Sequence, residues 1–422
     1  MNPVKKLLSE TGQTNVKGIY SVCSANRLVL KASFLKAKEN NLYALVEATA
    51  NQVNQYGGYT GMKPKDFIDS CLEIADEVGF EYKNIIFGGD HLGPLVWKNE
   101  SEDTAMEKAK ELVRQFVEAG FTKIHIDTSM HLKSDNANEA LSVDTVGRRA
   151  ALLIEECLKT PAVQDLVFVI GSEVPAPGGD GSLHALKVTL KEDLVKMLSR
   201  FQARFEEGGL SDVWPDVAAV VVQPGVEFFD SSVHHYDSGE SADLMKTLAE
   251  YPPLVFEGHS TDYQSKESLR QMVDDGIRIL KVGPALTFHM REALFALSYI
   301  ENELLPEEER SGFIEVLDNA MRGDPAYWQG YYKGSEREVE LMRKFSFFDR
   351  SRYYMSDDAV TAAQEKLFEN ISRSEIPGGL LSQVFPTRSD AFRSGKSVHS
   401  AEDLVISRIC DCLDDYLYAV IR

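Results

Sequence analysis

Carboxylates and imidazoles recur in this chain at the ends of short apolar runs, where a charge is costly unless it is paired or ligated. The segment FGGDHLGP, residues 87–94, sets Asp90 beside His91 between glycines. KIHID sets His125 and Asp127 two residues apart, and VFEGH does the same with Glu257 and His259. Side chains alternate along a strand, so each spaced pair lies on one face. Imidazole and carboxylate are the groups that Zn, Mn or Co accept, which makes His91 and His259 candidate ligands of a divalent metal. Such an ion would polarise a carbonyl, and Asp90 beside it would move the proton. Read singly, each histidine also fits a hydrogen-bonded residue at the start of a loop. Glu47 or Glu257 could instead be half of a buried ion pair with a lysine.

The runs that carry these residues are spaced like the strands of a barrel. Eight stretches rich in Val, Ile and aromatics fall at 18–24, 43–49, 84–90, 123–129, 167–174, 217–224, 253–259 and 278–284. Several are apolar almost throughout, as parallel strands covered on both faces are. Between them lie amphipathic stretches at 63–80, 103–121, 191–209 and 265–276, several followed by the glycine that stops a helix. Eight β-then-α units over about 270 residues predict an α/β fold, a (β/α)8 TIM barrel occupying 1–305. An open doubly wound sheet would carry G-x-G-x-x-G in its first turn, and the sequence has none there. From 306 to 422 the chain reads as a C-terminal helical extension rich in aromatics, packed on the barrel.

Reactive groups in such a barrel sit where strands end. Those ends supply Ser21 and Ser24, Glu47 with Gln52 in the loop after it, Asp90 and His91, His125 and Asp127, Glu173, Gln223, Glu257 and His259, and Lys281. Asp90, Asp127 and Glu173 are the candidate catalytic carboxylates; Glu47, Gln52, Ser260, Lys281 and Gly283 are candidate substrate-binding positions. EGHSTDYQ and KVGPALTF, after strands seven and eight, are where barrels often hold phosphate, through Ser260, Thr261 and the backbone at Gly283.

Composition narrows the partners. A net charge of −21 and a pI near 4.9 repel a phosphodiester backbone and give no footing on an anionic membrane. No run approaches the ~18 apolar residues of a membrane span, and the N-terminus lacks a secretory core, so a cytoplasmic protein is expected. Five scattered cysteines carry no zinc spacing and suggest no disulfide framework.

NQVNQYGGYTGM, GGDHLGP, AGFTKIHID, VIGSEVPAPGG, VVQPGVEF, EGHSTDYQ and LKVGPALTFHMREALFAL, with FFDRSRYY and IPGGLLSQ in the tail, closely resemble the GatZ/KbaZ family over essentially the whole chain. That family is the accessory Z subunit of class II D-tagatose-1,6-bisphosphate aldolase, and the resemblance implies a catalytic Y subunit as partner and an oligomer. Members have also been labelled tagatose-6-phosphate kinases, but neither a P-loop nor a kinase glycine loop is present. GGDH and PLVFEGHS also resemble segments of the catalytic class II aldolase barrel. By that likeness Asp90 is the acid/base group, and His91 and His259 are metal ligands. The remaining metal histidine is then expected in the strand-six region, where this chain has Gln223, and the substrate-binding Asn is replaced by Gly283. In a re-tasked site Glu173 or Gln223 would complete the metal shell.

Three functions follow from these readings. The first is an accessory subunit that stabilises the Y subunit. The second is a divalent-metal-dependent aldolase or C4-epimerase of ketohexoses or their phosphates, and the third is a sugar binder without turnover.

Overall fold

The computed structural model describes residues 1–10, 15–136, 138–160, 165–172, 187–386 and 400–421. Eight parallel strands close into a barrel: β1 (Ile19–Val22), β2 (Ala44–Thr49), β3 (Ile85–Leu92), β4 (Lys123–Ile126), β5 (Val167–Ile170), β6 (Val217–Val222), β7 (Val255–Gly258) and β8 (Ile277–Val282). Each pairs with its chain neighbours, and β8 returns to β1. All eight expected strands are present in the expected order, and the fold is a (β/α)8 TIM barrel with further C-terminal helices.

The chain forms two compact units. The first comprises Met1–Ala25, Ser33–Gly283 and Asp414–Arg422, and the second Asn26–Ala32 and Pro284–Leu413. Up to Asp275 the helices are α1 (Pro3–Ser9), α2 (Arg27–Glu39), α3 (Pro64–Val78), α4 (Glu102–Ala119), α5 (Val143–Leu158), α6 (Lys191–Glu207), α7 (Ala242–Leu248) and α8 (Lys266–Asp275). Their ends are written in the sequence. Ser101, Ser142 and Ser265 accept hydrogen bonds from the backbone N–H groups of Thr104, Thr145 and Ser268, while Gly79, Gly120 and Gly276 follow the last residues of α3, α4 and α8 with positive φ.

The barrel interior is stratified by strand parity. Val4 of α1 joins Ile19, Leu45, Ile86, Val169 and Ile279 in one buried apolar cluster. Two residues further along the same strands, the same inward parity delivers Ser21, Glu47, Gly88 and Lys281. The apolar layer, at about 1.5–3 kcal/mol per buried side chain, offsets the cost of the polar layer beyond it.

The second unit holds α9 (Pro284–Leu304), α10 (Phe313–Gly323), α11 (Glu336–Phe345), α12 (Asp358–Arg373) and α13 (Gly378–Val384), with most of α14 (Ala401–Val420). Phe313 and Leu317 of α10, Leu367 of α12 and Leu294 of α9 are buried in it. Its buried polar clamp is Arg291, whose Nε donates to Asp349 Oδ1 at 2.7 Å while Thr287 Oγ1 donates to Oδ2 at 2.6 Å.

Among the described residues, no helix is long and apolar enough to cross a membrane. All five cysteines are free thiols.

Candidate metal centre

Asp90 and His91 are neighbours in sequence, and a regular strand would point them to opposite faces. The structure avoids this with a one-residue bulge: between Gly89 and Leu92 the register of β3 slips against β4, and His91 takes a left-handed φ of 48°. Such a backbone is uncommon for histidine and marks a position that its surroundings enforce. The glycines around it provide space. A Cβ on Gly88 would lie 2.6 Å from Glu47 Cγ, and one on Gly93 would lie 1.8 Å from the carbonyl oxygen of Asp127.

Three imidazoles meet here. The ring centroids of His91, His125 and His259 lie 5.0–5.1 Å apart pairwise, a nearly equilateral triangle. Each ring is held from behind by a carboxylate. His91 Nδ1 lies 2.8 Å from Asp127 Oδ2, His125 Nδ1 lies 2.8 Å from Asp90 Oδ1, and His259 Nε2 lies 3.1 Å from Glu257 Oε1. An ionised carboxylate only accepts, so at His91 and His259 these contacts put a proton on the carboxylate-facing nitrogen, whereas His125 Nδ1 also lies 3.2 Å from the His91 N–H, which donates to it. His125 Nε2 is buried with no hydrogen-bond partner.

Below the imidazoles lies a buried ion-pair lattice. Lys123 Nζ contacts Glu47 Oε1 at 2.6 Å and Glu257 Oε2 at 2.7 Å; Lys281 Nζ contacts Asp90 Oδ1 at 2.7 Å and also Glu47 Oε2. The lysine-paired alternative for Glu47 and Glu257 is thus realised, twice over. Four carboxylates, counting Asp127, face two ammonium groups, which leaves two negative charges when the imidazoles are neutral.

The protonation states follow from this packing. Burial favours the neutral acid of Asp90, but Lys281 and the imidazoles outweigh it and hold the carboxyl well below the usual range. Burial opposes ionisation of Asp127 too, and His91 brings it down to about 2. His259 is pushed down to about 3 by burial, to which Lys281 and His91 add, despite Glu257 and Asp90. His91 goes the other way: burial lowers it, but Asp90 and Asp127 raise it above the ordinary imidazole value.

These residues fit a divalent cation. Asp90, His125, Glu257 and His259 can each offer one ligand atom such that all four lie within 4.8 Å of one another, and the cluster is compatible with a divalent metal. An orphaned imidazole nitrogen, imidazoles oriented by carboxylates and an excess of carboxylates over ammonium groups are what such an ion requires.

The chain matches the family model "D-tagatose-1,6-bisphosphate aldolase subunit GatZ/KbaZ-like" over residues 4–421. It is 42% identical over 419 residues to the D-tagatose-1,6-bisphosphate aldolase subunit GatZ of Salmonella gallinarum (strain 287/91 / NCTC 13346), covering 98% of each chain. The chain belongs to the GatZ/KbaZ-like family. The GatZ subunit of Salmonella choleraesuis (strain SC-B67) is 43% identical over 405 residues, 95% of each chain. A solved structure from Sinorhizobium meliloti 1021, described as a "probable tagatose 6 phosphate kinase", superposes with a TM-score of 0.88 at 40% identity, over 95% of this chain and all of that one.

For this GatZ/KbaZ-like chain, the structure brings Asp90, His91, Asp127, His259, Glu47 and Lys281 together as the strand ends suggested. It places other candidates differently. The third imidazole comes from β4, not from the strand-six region: it is His125, and Gln223 Oε1 instead accepts from the backbone of Gly225 and Val226 at 2.8 and 3.0 Å. Gln52 ties its loop to neighbouring backbone, accepting from Thr49 N–H at 2.9 Å and donating to the Cys23 carbonyl at 3.3 Å. Ser260 follows His259 with a left-handed φ of 54°. Gly283 N–H is already taken, by Asp262 Oδ1 at 3.0 Å. Glu173 lies outside the described residues. Lys123 was missed as a partner, although it shares the parity of His125 and Asp127 and a lysine inside an apolar strand is itself a signal.

Proposed function

We propose that this chain is the Z-type subunit of a tagatose-bisphosphate aldolase in cytoplasmic ketohexose metabolism, that it stabilises a catalytic Y-type partner in a hetero-oligomer, and that its barrel holds a divalent ion such as Zn, Mn or Co. The observation that carries this reading is similarity to GatZ subunits along nearly the whole chain.

The three-imidazole geometry favours a second reading, a ketohexose C4-epimerase. A bound divalent ion would supply polarisation of the ketone and stabilisation of the negative charge that develops next to it. The chain's own part is the proton. Asp90 Oδ1 is engaged by His125, Lys281 and the His91 N–H, while Oδ2 lies 3.8 Å from His91 Nε2, beyond hydrogen-bond distance. An ionised Oδ2 takes the proton of the C4 hydroxyl as the C3–C4 bond breaks and its electron pair moves toward the C2 carbonyl. The C4 aldehyde rotates, the bond re-forms on its other face, and Asp90 returns the proton.

Metal analysis of the purified chain, with fructose/tagatose interconversion assays on wild type and His259→Ala, separates the readings. Metal-dependent turnover that disappears in the variant would reject an accessory role alone. A chain inactive by itself that raises the activity of a co-expressed Y subunit would reject the epimerase.

A further inference from the structure

His259 is delivered to the centre at the start of a strained loop. The segment leaving β7 puts two non-glycine residues in the left-handed region, Ser260 at φ 54° and Tyr263 at φ 63°. Such conformations persist only where the surroundings over-determine them. Thr261, fully buried between the two, is where the surroundings take hold. Its Oγ1 donates to the Lys281 carbonyl on β8 at 2.6 Å, and its own carbonyl accepts from Tyr416 OH at 3.0 Å. The same phenol oxygen lies 3.1 Å from Thr261 Oγ1. Gln264 N–H also donates to the Thr261 carbonyl, at 3.3 Å, but from within the loop itself. Tyr416 ties the loop to something outside it.

Tyr416 lies in the stretch of α14 that belongs to the first unit, so these contacts are made within the barrel's own body. It is buried, and its ring packs on Tyr20 of β1 with centroids 6.0 Å apart. The backbone beyond it is fixed independently. Lys17 N–H donates to the Val420 carbonyl at 2.7 Å, Val16 and Ile421 form an antiparallel bridge, and the Arg270 guanidinium of α8 donates to the carbonyls of Tyr418 and Ile421. The phenol is therefore a fixed post. Without its hydroxyl, the turn beside His259 loses a buried hydrogen bond that holds it from outside.

We infer that Tyr416 is a positioning residue for the metal centre: through Thr261 it fixes the direction in which the chain carrying His259 leaves β7, and links that turn to the β8 end carrying Lys281. This rests on the reading of the centre as a divalent-ion site. It gives a helix residue 155 positions beyond Thr261 a part in a site built from strand ends.

The test uses the full-length chain as wild type, Tyr416→Phe and Tyr354→Phe. Tyr354 also donates its phenol to a backbone carbonyl, that of Asp324, so its variant loses the same kind of bond in the second unit. Zn affinity is measured by competition with a chelating dye, and coordination by visible absorption of the Co-loaded chain. Loop stability is read by hydrogen exchange of residues 256–264 in metal-free protein, with thermal melting on every sample. Tyr416→Phe should bind Zn about fivefold more weakly, the contribution of one net hydrogen bond, with an altered Co spectrum and faster exchange over 256–264. Tyr354→Phe should match wild type in all three. Thr261→Val, which removes the Oγ1 link to β8 and keeps the side chain's shape, should follow Tyr416→Phe, and decides the matter if that variant does not fold. Wild-type Zn affinity, Co spectrum and exchange in Tyr416→Phe overturn the inference. So does an equal loss of Zn affinity in Tyr354→Phe, which would make the effect one of general stability. If wild type binds neither ion, the metal reading fails by itself and exchange alone decides the brace: faster only in Tyr416→Phe supports it, and equal rates in all chains overturn it.

Discussion

Each carboxylate in the centre has an identifiable task, and substitution should separate them. Among the described residues the Asp127 carboxylate bonds to His91 Nδ1 and to Ser129, so it orients a ring and raises its basicity. Asp127→Asn should leave the fold intact and weaken Zn or Mn binding by about 10–100-fold, measured by competition with a chelating dye. Lys123 has a different role. It is fully buried between Glu47 and Glu257, and Lys123→Met would strand two carboxylates with Lys281 as their remaining cation. Urea denaturation should show a loss of about 3–5 kcal/mol, because breaking a buried pair from one side leaves an uncompensated charge.

At the scale of elements, the centre depends on how β3 ends. Its bulge turns both Asp90 and His91 inward, and the room for Glu47 beside it exists because position 88 has no side chain. Gly88→Ala forces a methyl group to within 2.6 Å of Glu47 Cγ. The expected outcome is about 1–3 kcal/mol of destabilisation from overpacking, with metal content falling as Glu47 moves off Lys123 and Lys281. Mass-spectrometric metal counting alongside thermal melting distinguishes this from simple unfolding. FGGDHLGP could be read as a site from its residue types. That Gly88 and Gly93 serve close approach was not legible, because the atoms they avoid, Glu47 Cγ and the Asp127 carbonyl, belong to other strand ends.

For the whole molecule, the acidic balance of −21 makes the acid side of the stability curve informative. Arg149, fully buried on α5, holds Asp135 and Glu102 in one network, and Arg204 on α6 pairs with Asp144 on α5. Hydrogen bonding to Arg149 lowers both Asp135 and Glu102, and hydrogen bonding to Arg204 lowers Asp144. Each folded pKa lies below its unfolded value, so the stabilisation is fully present well above the unfolded values of about 3.9 to 4.3 and is lost as pH falls through these toward the folded values. Arg149→Met should therefore be least stable relative to wild type near neutrality, with the gap in Tm narrowing as pH drops below about 4. A gap that stays constant with pH would show that Arg149 acts only through packing.

The sequence by itself determined the eight strands, their order, the shared faces of His125 with Asp127 and of Glu257 with His259, and the glycine ends of several helices. Periodicity and capping are local properties, and a linear reading reaches them. Only the tertiary structure decided which of these groups meet. His125 completes a triangle with His91 and His259 because barrel closure sets β7 across from β3 and β4, a relation between residues more than 130 positions apart. The partners of the two lysines, the bulge that rescues His91 and the carboxylate of Asp262 on Gly283 N–H are likewise products of closure. Pattern along the chain specifies which face a side chain takes, whereas distance across a barrel depends on every strand between.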